Sequence, residues 1–191
     1  MPCQPWTSAS HPIRVDFVPL PSLGGRVGLT FAPGKRDAFK WDRNLAEDLD
    51  RLVDAFNVTH LVSLMEDAEL RDYHIPNLVT QAERRGIAVH RFPIVDVSVP
   101  RQLDDVRPLM RDIGTWTQTA TVAIHCLGGL GRTGTIAGCF LVEQGFDADS
   151  ALAMLRTVRG DDCPQTEKQR EFVRQYARWR RPRAPGRKAP A

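Results

Sequence analysis

His125-Cys126-Leu127-Gly128-Gly129-Leu130-Gly131-Arg132-Thr133-Gly134-Thr135 is the stretch on which the reading of this chain turns. The apolar run Thr121 to Ile124 precedes it, and the apolar segment Ile136 to Gln144 follows. The order is strand, glycine-rich turn, buried helix, with a cysteine where the strand ends and an arginine where the helix begins. Gly128, Gly129 and Gly131 have no Cβ, so the turn can curl and present its N–H groups inward. Amides gathered at a helix N-terminus form an anion site, reinforced by the helix dipole. The planar fork of Arg132 suits two oxygens of a tetrahedral oxyanion. The same field favours the thiolate of Cys126, held beneath a bound phosphate. Leu127, Gly128, Gly129, Leu130, Gly131 and Arg132 are therefore the expected phosphate-binding residues, and Cys126 the nucleophile. Thr133 carries a hydroxyl that can donate to the sulfur when it acts as leaving group. His125 is expected to orient the loop and tune the thiolate without taking a proton itself.

Each residue type also has a plainer use. A lone cysteine on an apolar strand is usually an inert core residue. A glycine-rich turn before a helix usually cradles phosphate without covalent chemistry. This turn lacks the Gly-Lys-Ser/Thr ending of a nucleotide-binding loop, and Arg132 stands where the helix starts. Cysteine and arginine separated by five residues, three of them glycine, with His before and Thr-Gly after, favour catalysis. His-Cys, five residues, then Arg-Thr-Gly resembles the active-site loop of the cysteine-based protein tyrosine phosphatase superfamily. The Gly-Gly-Leu-Gly-Arg version resembles the cyclin-dependent-kinase-associated branch of the dual-specificity phosphatases and its bacterial relatives. The resemblance covers roughly residues 14 to 180 and is strongest over 121–140.

A thiolate that attacks phosphorus needs an acid to protonate the leaving oxygen, and then a base to activate water against the phosphocysteine. Asp96 follows an apolar strand and precedes Cys126 by thirty residues. The family carries Pro-Ile-x-Asp at similar spacing, and Pro93-Ile94-Val95-Asp96 matches it. Asp104 and Asp105 are rivals that fall in a helix. Thr166 with Gln169 three residues on reads as a capping box. The stretch Gln165-Thr166-Glu167-Lys168-Gln169 also resembles the Gln-Thr-x-x-Gln segment that positions the hydrolytic water in some tyrosine phosphatases, which would make Gln165 a supporting residue. No metal and no cofactor is required.

The rest of the chain is ordinary for a globular protein. Its 191 residues, 42% hydrophobic and 26% charged, suit one α/β domain. No apolar run is long enough to span a membrane, and residues 1–12 lack a signal-peptide core. The four cysteines, at 3, 126, 139 and 163, show no metal spacing. A reducing, cytoplasmic setting suits a working thiolate. Cys139 reads as core, and Cys163 as a bystander near Gln165. Net charge is +3, yet six positive charges crowd the last fourteen residues, so the remainder is net acidic. We expect an N-terminal extension over 1–13, a phosphatase domain over 14–181 and a basic, disordered tail over 182–191. Nucleic acid is an unlikely partner, because aromatics are not interleaved with that tail beyond Trp179.

Short strands are expected at 14–18 and 26–31, and longer ones at 60–65, 87–94 and 121–126. A helix capped by Asp42 should run to Phe56, with Leu45, Leu49, Leu52, Val53 and Phe56 inward. Further helices are expected over 76–85, 101–119, 136–144, 147–158 and 166–180. Glu66, Asp67 and Glu69 stand at a strand's carboxyl end, where α/β enzymes place their sites; the preferred reading is a helix first turn that favours negative charge. His90 reads as structural. The fold expected is a twisted, mostly parallel sheet of about five strands flanked by helices, with the phosphate loop between a central strand and a helix. The activity expected is that of a protein phosphatase acting on phosphotyrosine, and on phosphoserine or phosphothreonine, in a phosphorylated protein. The alternatives are a phosphoprotein-binding module on the same fold and a phosphatase for a non-protein monoester. The loop contains no lysine, which argues against inositol lipids.

Overall fold

A computed structural model describes residues 4–180. Its sheet has five strands: β1 (Asp16–Phe17), β2 (Arg26–Thr30), β3 (Val58–Ser63), β4 (Ala88–Arg91) and β5 (Thr121–His125). Their order is β1-β2-β5-β3-β4, and only β1 runs antiparallel to its neighbour. The mostly parallel sheet expected from the sequence is therefore present. β5 lies at its centre with every residue buried, and its last residue, His125, pairs with Thr30 on one side and Ser63 on the other.

Among the described residues seven helices flank the sheet: α1 (Leu45–Asp54), α2 (Asp67–Asp72), α3 (Leu78–Glu83), α4 (Leu103–Trp116), α5 (Gly131–Glu143), α6 (Ala148–Arg159) and α7 (Glu167–Arg180). The two-residue alternation of the central strands divides the core. Val122 and Ile124 of β5, with Val62 of β3, pack into one cluster with Val106 of α4, Phe140 of α5 and Val173 of α7. Ala123 and Leu61 face the opposite way, onto Leu49 and Leu52 of α1 and Leu78 of α3. Twelve of the thirteen α5 residues are buried, which explains why its sequence is apolar nearly all round.

One cap differs from expectation. Asn44, not Asp42, caps α1: its side-chain oxygen accepts from the N–H groups of Ala46 (2.9 Å) and Glu47 (3.2 Å). Asp42 instead pairs through its backbone with Arg36. Within α1, Asp48 is buried and takes a bidentate contact from the equally buried Arg43, at 2.8 and 2.7 Å. Arg43 also donates to the carbonyl of His11, at 2.7 Å. Trp6 meets Trp41 edge-on at 5.1 Å, and the Ser8 hydroxyl accepts from the N–H of Asn44. Residues 6–13 are thus a strap laid over the loop between β2 and α1, with Ile13 fully buried. His90 stacks on Trp116 and shares a 3.0 Å contact with His60, and burial lowers both imidazole pKa values. The tail at 182–191 and Cys3 lie outside the described residues.

Candidate active site

A cleft of about 870 Å³ opens at the carboxyl ends of β2 and β5, bordered by the loop after β4. Cys126, Arg132, Asp96 and Gln165 all line it, as do Leu127, Gly128, Leu130 and Gly131. The Cys126 thiol lies at the start of the loop, and the Gly129 N–H points at its sulfur from 3.3 Å. Gly129 has φ +70°, and a Cβ there would lie 2.3 Å from the Thr30 carbonyl oxygen, so the chain requires glycine at this point.

The loop is held by its carbonyls. The Leu127 oxygen accepts from the Ala32 N–H (3.2 Å) and from Lys35 Nζ (3.0 Å). Arg159, at the end of α6, donates to the oxygens of Gly129 (Nε, 2.9 Å) and Gly128 (Nη2, 3.1 Å), while its Nη1 pairs with Asp16. The Cys163 thiol lies 3.5 Å from the Leu130 oxygen. In a trans peptide the C=O and the next N–H point in opposite directions. Drawing the 127–130 carbonyls outward therefore turns the amides of 128–131 to the other side of the loop, at the N-terminus of α5, where an anion would be received.

Arg132, in the first turn of α5, is 1% exposed although it carries a full charge. Its Nη1 and Nη2 donate to the two carboxylate oxygens of Glu69 at 2.6 and 2.8 Å, and Nη1 also donates to the Ile94 carbonyl at 2.9 Å. Glu69 lies in the first turn of α2, where its Oε2 also accepts from the Glu66 N–H at 2.9 Å. The helix-start reading of these acids therefore holds, but it is incomplete, because the same carboxylate fixes the guanidinium. Asp96 reaches the site from the loop after β4, with its Oδ1 2.7 Å from Arg132 Nη2. The next residue, Val97, is held at φ 56°, an uncommon conformation for a β-branched residue.

His125 is fully buried beneath the loop, its Nδ1 3.2 Å from the Cys126 carbonyl oxygen. Burial pushes its pKa down to about 4, so the imidazole is neutral near pH 7. The Thr133 hydroxyl is buried and has no hydrogen-bond partner among the described residues. Gln169 completes the capping box with Thr166 (3.1 and 3.2 Å), donates to the Ser98 carbonyl (3.1 Å) and lines the cleft beside Gln165. Gly131 makes room for it, since a Cβ at 131 would lie 2.8 Å from the Gln169 amide. Burial pushes the Cys163 thiol up to about 12 and raises that of Cys139 as well.

Four residues of this arrangement were not assigned to the site by the sequence: Lys35, Glu69, Arg159 and Gln169. Glu69 had a signal in its position after a strand, and Gln169 had one in the Gln-Thr-x-x-Gln spacing. Lys35 sat in what read only as a Pro-Gly turn, and Arg159 at the end of an amphipathic helix.

Comparison with known proteins agrees with this geometry. Residues 36–186 match the sequence model described as "Swiss Army Knife protein, DSP-PTPase phosphatase domain". The chain is 28% identical over 179 residues to cyclin-dependent kinase inhibitor 3 of Rattus norvegicus, covering 91% of this chain and 82% of that protein. The human protein of the same name is 27% identical over the same length, with the same coverage. Among solved structures, a kinase associated phosphatase (KAP) whose catalytic-site cysteine is replaced by serine superposes with a TM-score of 0.81 at 26% identity, covering 88% of this chain and 96% of that one. The active form of Tk-PTP gives 0.66 at 28% identity, covering 83% and 97%. Among the described residues no helix is long and apolar enough to cross a membrane. A cysteine at the end of the central strand, an amide-lined loop and a buried arginine at the following helix start are thus found in a chain that belongs to the DSP-PTPase phosphatase family.

Proposed function

We propose that this chain is a protein phosphatase that hydrolyses phosphotyrosine and phosphoserine or phosphothreonine through a phosphocysteine on Cys126. The observation that carries the reading is the Gly129 N–H aimed at the Cys126 sulfur, beside an arginine fixed by Glu69 and within 2.7 Å of Asp96. The phosphoryl oxygens would lie in the amides of 127–132 and on Arg132, where charge gathers in the transition state. The thiolate attacks phosphorus, the P–O bond to the substrate breaks, and the leaving oxygen takes the proton of Asp96. Asp96 then removes a proton from water, the water oxygen displaces sulfur, and inorganic phosphate departs. Gln165, with Gln169 beside it, is the proposed holder of that water. His125 keeps the loop oriented as a neutral ring. No metal or cofactor takes part in the scheme.

The proposed domain runs over 14–181, with the strap of residues 6–13 laid on it. A cytoplasmic setting is proposed for the sake of the reduced thiolate. The similarity to proteins named for cyclin-dependent kinases supports a phosphorylated protein as substrate, without fixing which one. A non-protein monoester is the second reading. It is favoured by one observation: Lys35, Lys40 and Arg14 add positive charge to that of Arg132 in the cleft, although the loop itself contains no lysine. A non-catalytic phosphate reader ranks below both, because the nucleophile, the arginine and the acid are all present.

The test is turnover of p-nitrophenyl phosphate and of phosphopeptides in EDTA from pH 5 to 8. Cys126→Ser should abolish turnover while keeping tungstate binding. Asp96→Ala should lose about 10²–10⁴-fold on phosphopeptides, and less on the nitrophenyl ester, whose leaving group departs without a proton. A wild type that binds tungstate but turns over neither substrate would leave only the phosphate-reading module.

A further inference from the structure

Lys35 is a buried charge outside the loop. It follows the Pro33-Gly34 turn after β2, and the residue is 3% exposed. Its Nζ lies 3.9 Å from the centre of the Trp41 ring and 4.8 Å from that of Phe31, so aromatic faces take up part of its charge. Its hydrogen bond, at 3.0 Å, goes to the carbonyl of Leu127, the residue after the nucleophile. Among the described residues no carboxylate lies within ion-pair distance of it. The charged and titratable groups that act on it are Cys126, Arg43, Lys40 and Arg159, and Lys35 in turn acts on Asp37. Three of these are cations, of which Arg43 is paired with Asp48 and Arg159 with Asp16, while Cys126 as a thiolate favours the ammonium. An ammonium buried with cations and no paired acid is costly unless an anion enters the space beside it. The cleft that Lys35 lines together with Cys126 and Arg132 is where an anion enters.

We propose that Lys35 is a positioning residue of this site whose counter-ion is the oxyanion bound in the loop, so that phosphate binding and protonation of Lys35 occur together. The inference rests on the loop holding a tetrahedral oxyanion, as the phosphatase reading requires. The hydrogen bond to the Leu127 oxygen fixes the peptide plane whose other edge is the Gly128 N–H, one of the amides turned toward the anion. Burial lowers the ammonium to about 7, well below the usual lysine value. Above that pH the free protein holds a neutral amine, and an arriving dianion draws a proton onto it. Above pH 7, Lys35 then adds its charge to that of Arg132 as the cleft is filled.

The experiment uses the full chain carrying Cys126→Ser, so that the thiol does not titrate, with tungstate as the probe. Binding is followed by calorimetry from pH 6 to 8.5, in two buffers of different ionisation enthalpy at pH 7.5. The parent should bind with proton uptake at pH 7.5, and its affinity should fall about tenfold as the pH rises through 7–8. Lys35→Met, which keeps the length of the chain among the aromatic rings, should bind about tenfold more weakly at pH 6, with no proton uptake and a flat pH dependence. Lys35→Arg should recover the affinity and keep it at pH 8, because a guanidinium does not titrate there. Unchanged proton uptake in Lys35→Met would overturn the proposal. So would equal weakening by Met and Arg at every pH, which is the mark of a merely structural lysine. Should Lys35→Met fail to fold, Lys35→Arg alone decides, because a pH step that survives in it refutes the coupling. Loss of the phosphatase reading would appear separately, as a wild type without turnover.

Discussion

Replacing Glu69 with alanine would test the claim that Arg132, the proposed phosphate-binding arginine, is held in place from outside its own loop. The guanidinium of Arg132 is 1% exposed and gives two of its donors to the Glu69 carboxylate, at 2.6 and 2.8 Å. Removal of one partner of a buried, hydrogen-bonded ion pair leaves the other charge without compensation, at about 3–5 kcal/mol. Asp96 remains beside Nη2, but its side chain is 55% exposed, so solvent screens most of what it could offer. At about 2–4 °C per kcal/mol for a chain of this size, the melting temperature should fall by roughly 10 °C. The freed guanidinium would tilt toward Asp96 and away from the amides of the loop. A misplacement of that kind costs about 10²-fold in kcat. The assays are urea unfolding and turnover of p-nitrophenyl phosphate, with Glu69→Gln as a variant that keeps the shape and one acceptor and so loses less of each. If Glu69→Ala stays within about 1 kcal/mol of wild type and keeps its turnover, the guanidinium is held by the Ile94 carbonyl and the chain around it, and the reasoning fails.

Further outcomes follow from features nearby. His125 has a folded-state pKa of about 4 against an unfolded value of 6.5, so the unfolded chain takes up a proton first as the pH falls. Stability should therefore drop by about 3 kcal/mol between pH 6.5 and 4, and urea titrations should show a shallower drop in His125→Gln. Gly129→Ala combines φ +70° with a Cβ 2.3 Å from the Thr30 carbonyl oxygen, and should cost about 3 kcal/mol or more in urea while raising KM. Iodoacetamide on the native chain should label Cys126 far faster than Cys139 or Cys163, both buried with thiols that burial pushes up. Peptide mapping by mass spectrometry checks this, and rapid labelling of Cys163 would contradict its packing under Leu130.

The candidate catalytic loop was legible in the sequence because it is local. Seven consecutive residues carry the proposed nucleophile, the amides and the arginine, and the strand before and helix after them announce themselves by composition. The sheet was legible for the same reason, since the central strands are continuous apolar runs. What the sequence hid were partners brought together only by folding. Glu69 lies 63 residues from Arg132, Lys35 lies 92 residues from Leu127, and Arg159 lies 30 residues from Gly129. Nothing in the spacing of a Pro-Gly-Lys turn indicates that its lysine will be buried against two aromatic rings. The α1 cap was misplaced because Asp42 and Asn44 are both good capping residues, and the choice depends on which one adopts extended backbone at the first turn. Asn44 does, at φ −94° and ψ 118°, while Asp42 is committed to Arg36.

The strap of residues 6–13 gives the molecule a division of labour along its length. Trp6, Ser10, His11 and Pro12 form part of the cleft wall, yet none of them belongs to the strand, loop and helix that carry the chemistry. Changes at the start of the chain can therefore alter which molecules reach the cysteine without disturbing how it reacts. An affinity tag fused there, or a few residues trimmed for convenience, would act as an edit to the mouth of the enzyme. Two preparations that differ only at that end could share one rate constant for chemistry and still disagree about their substrates.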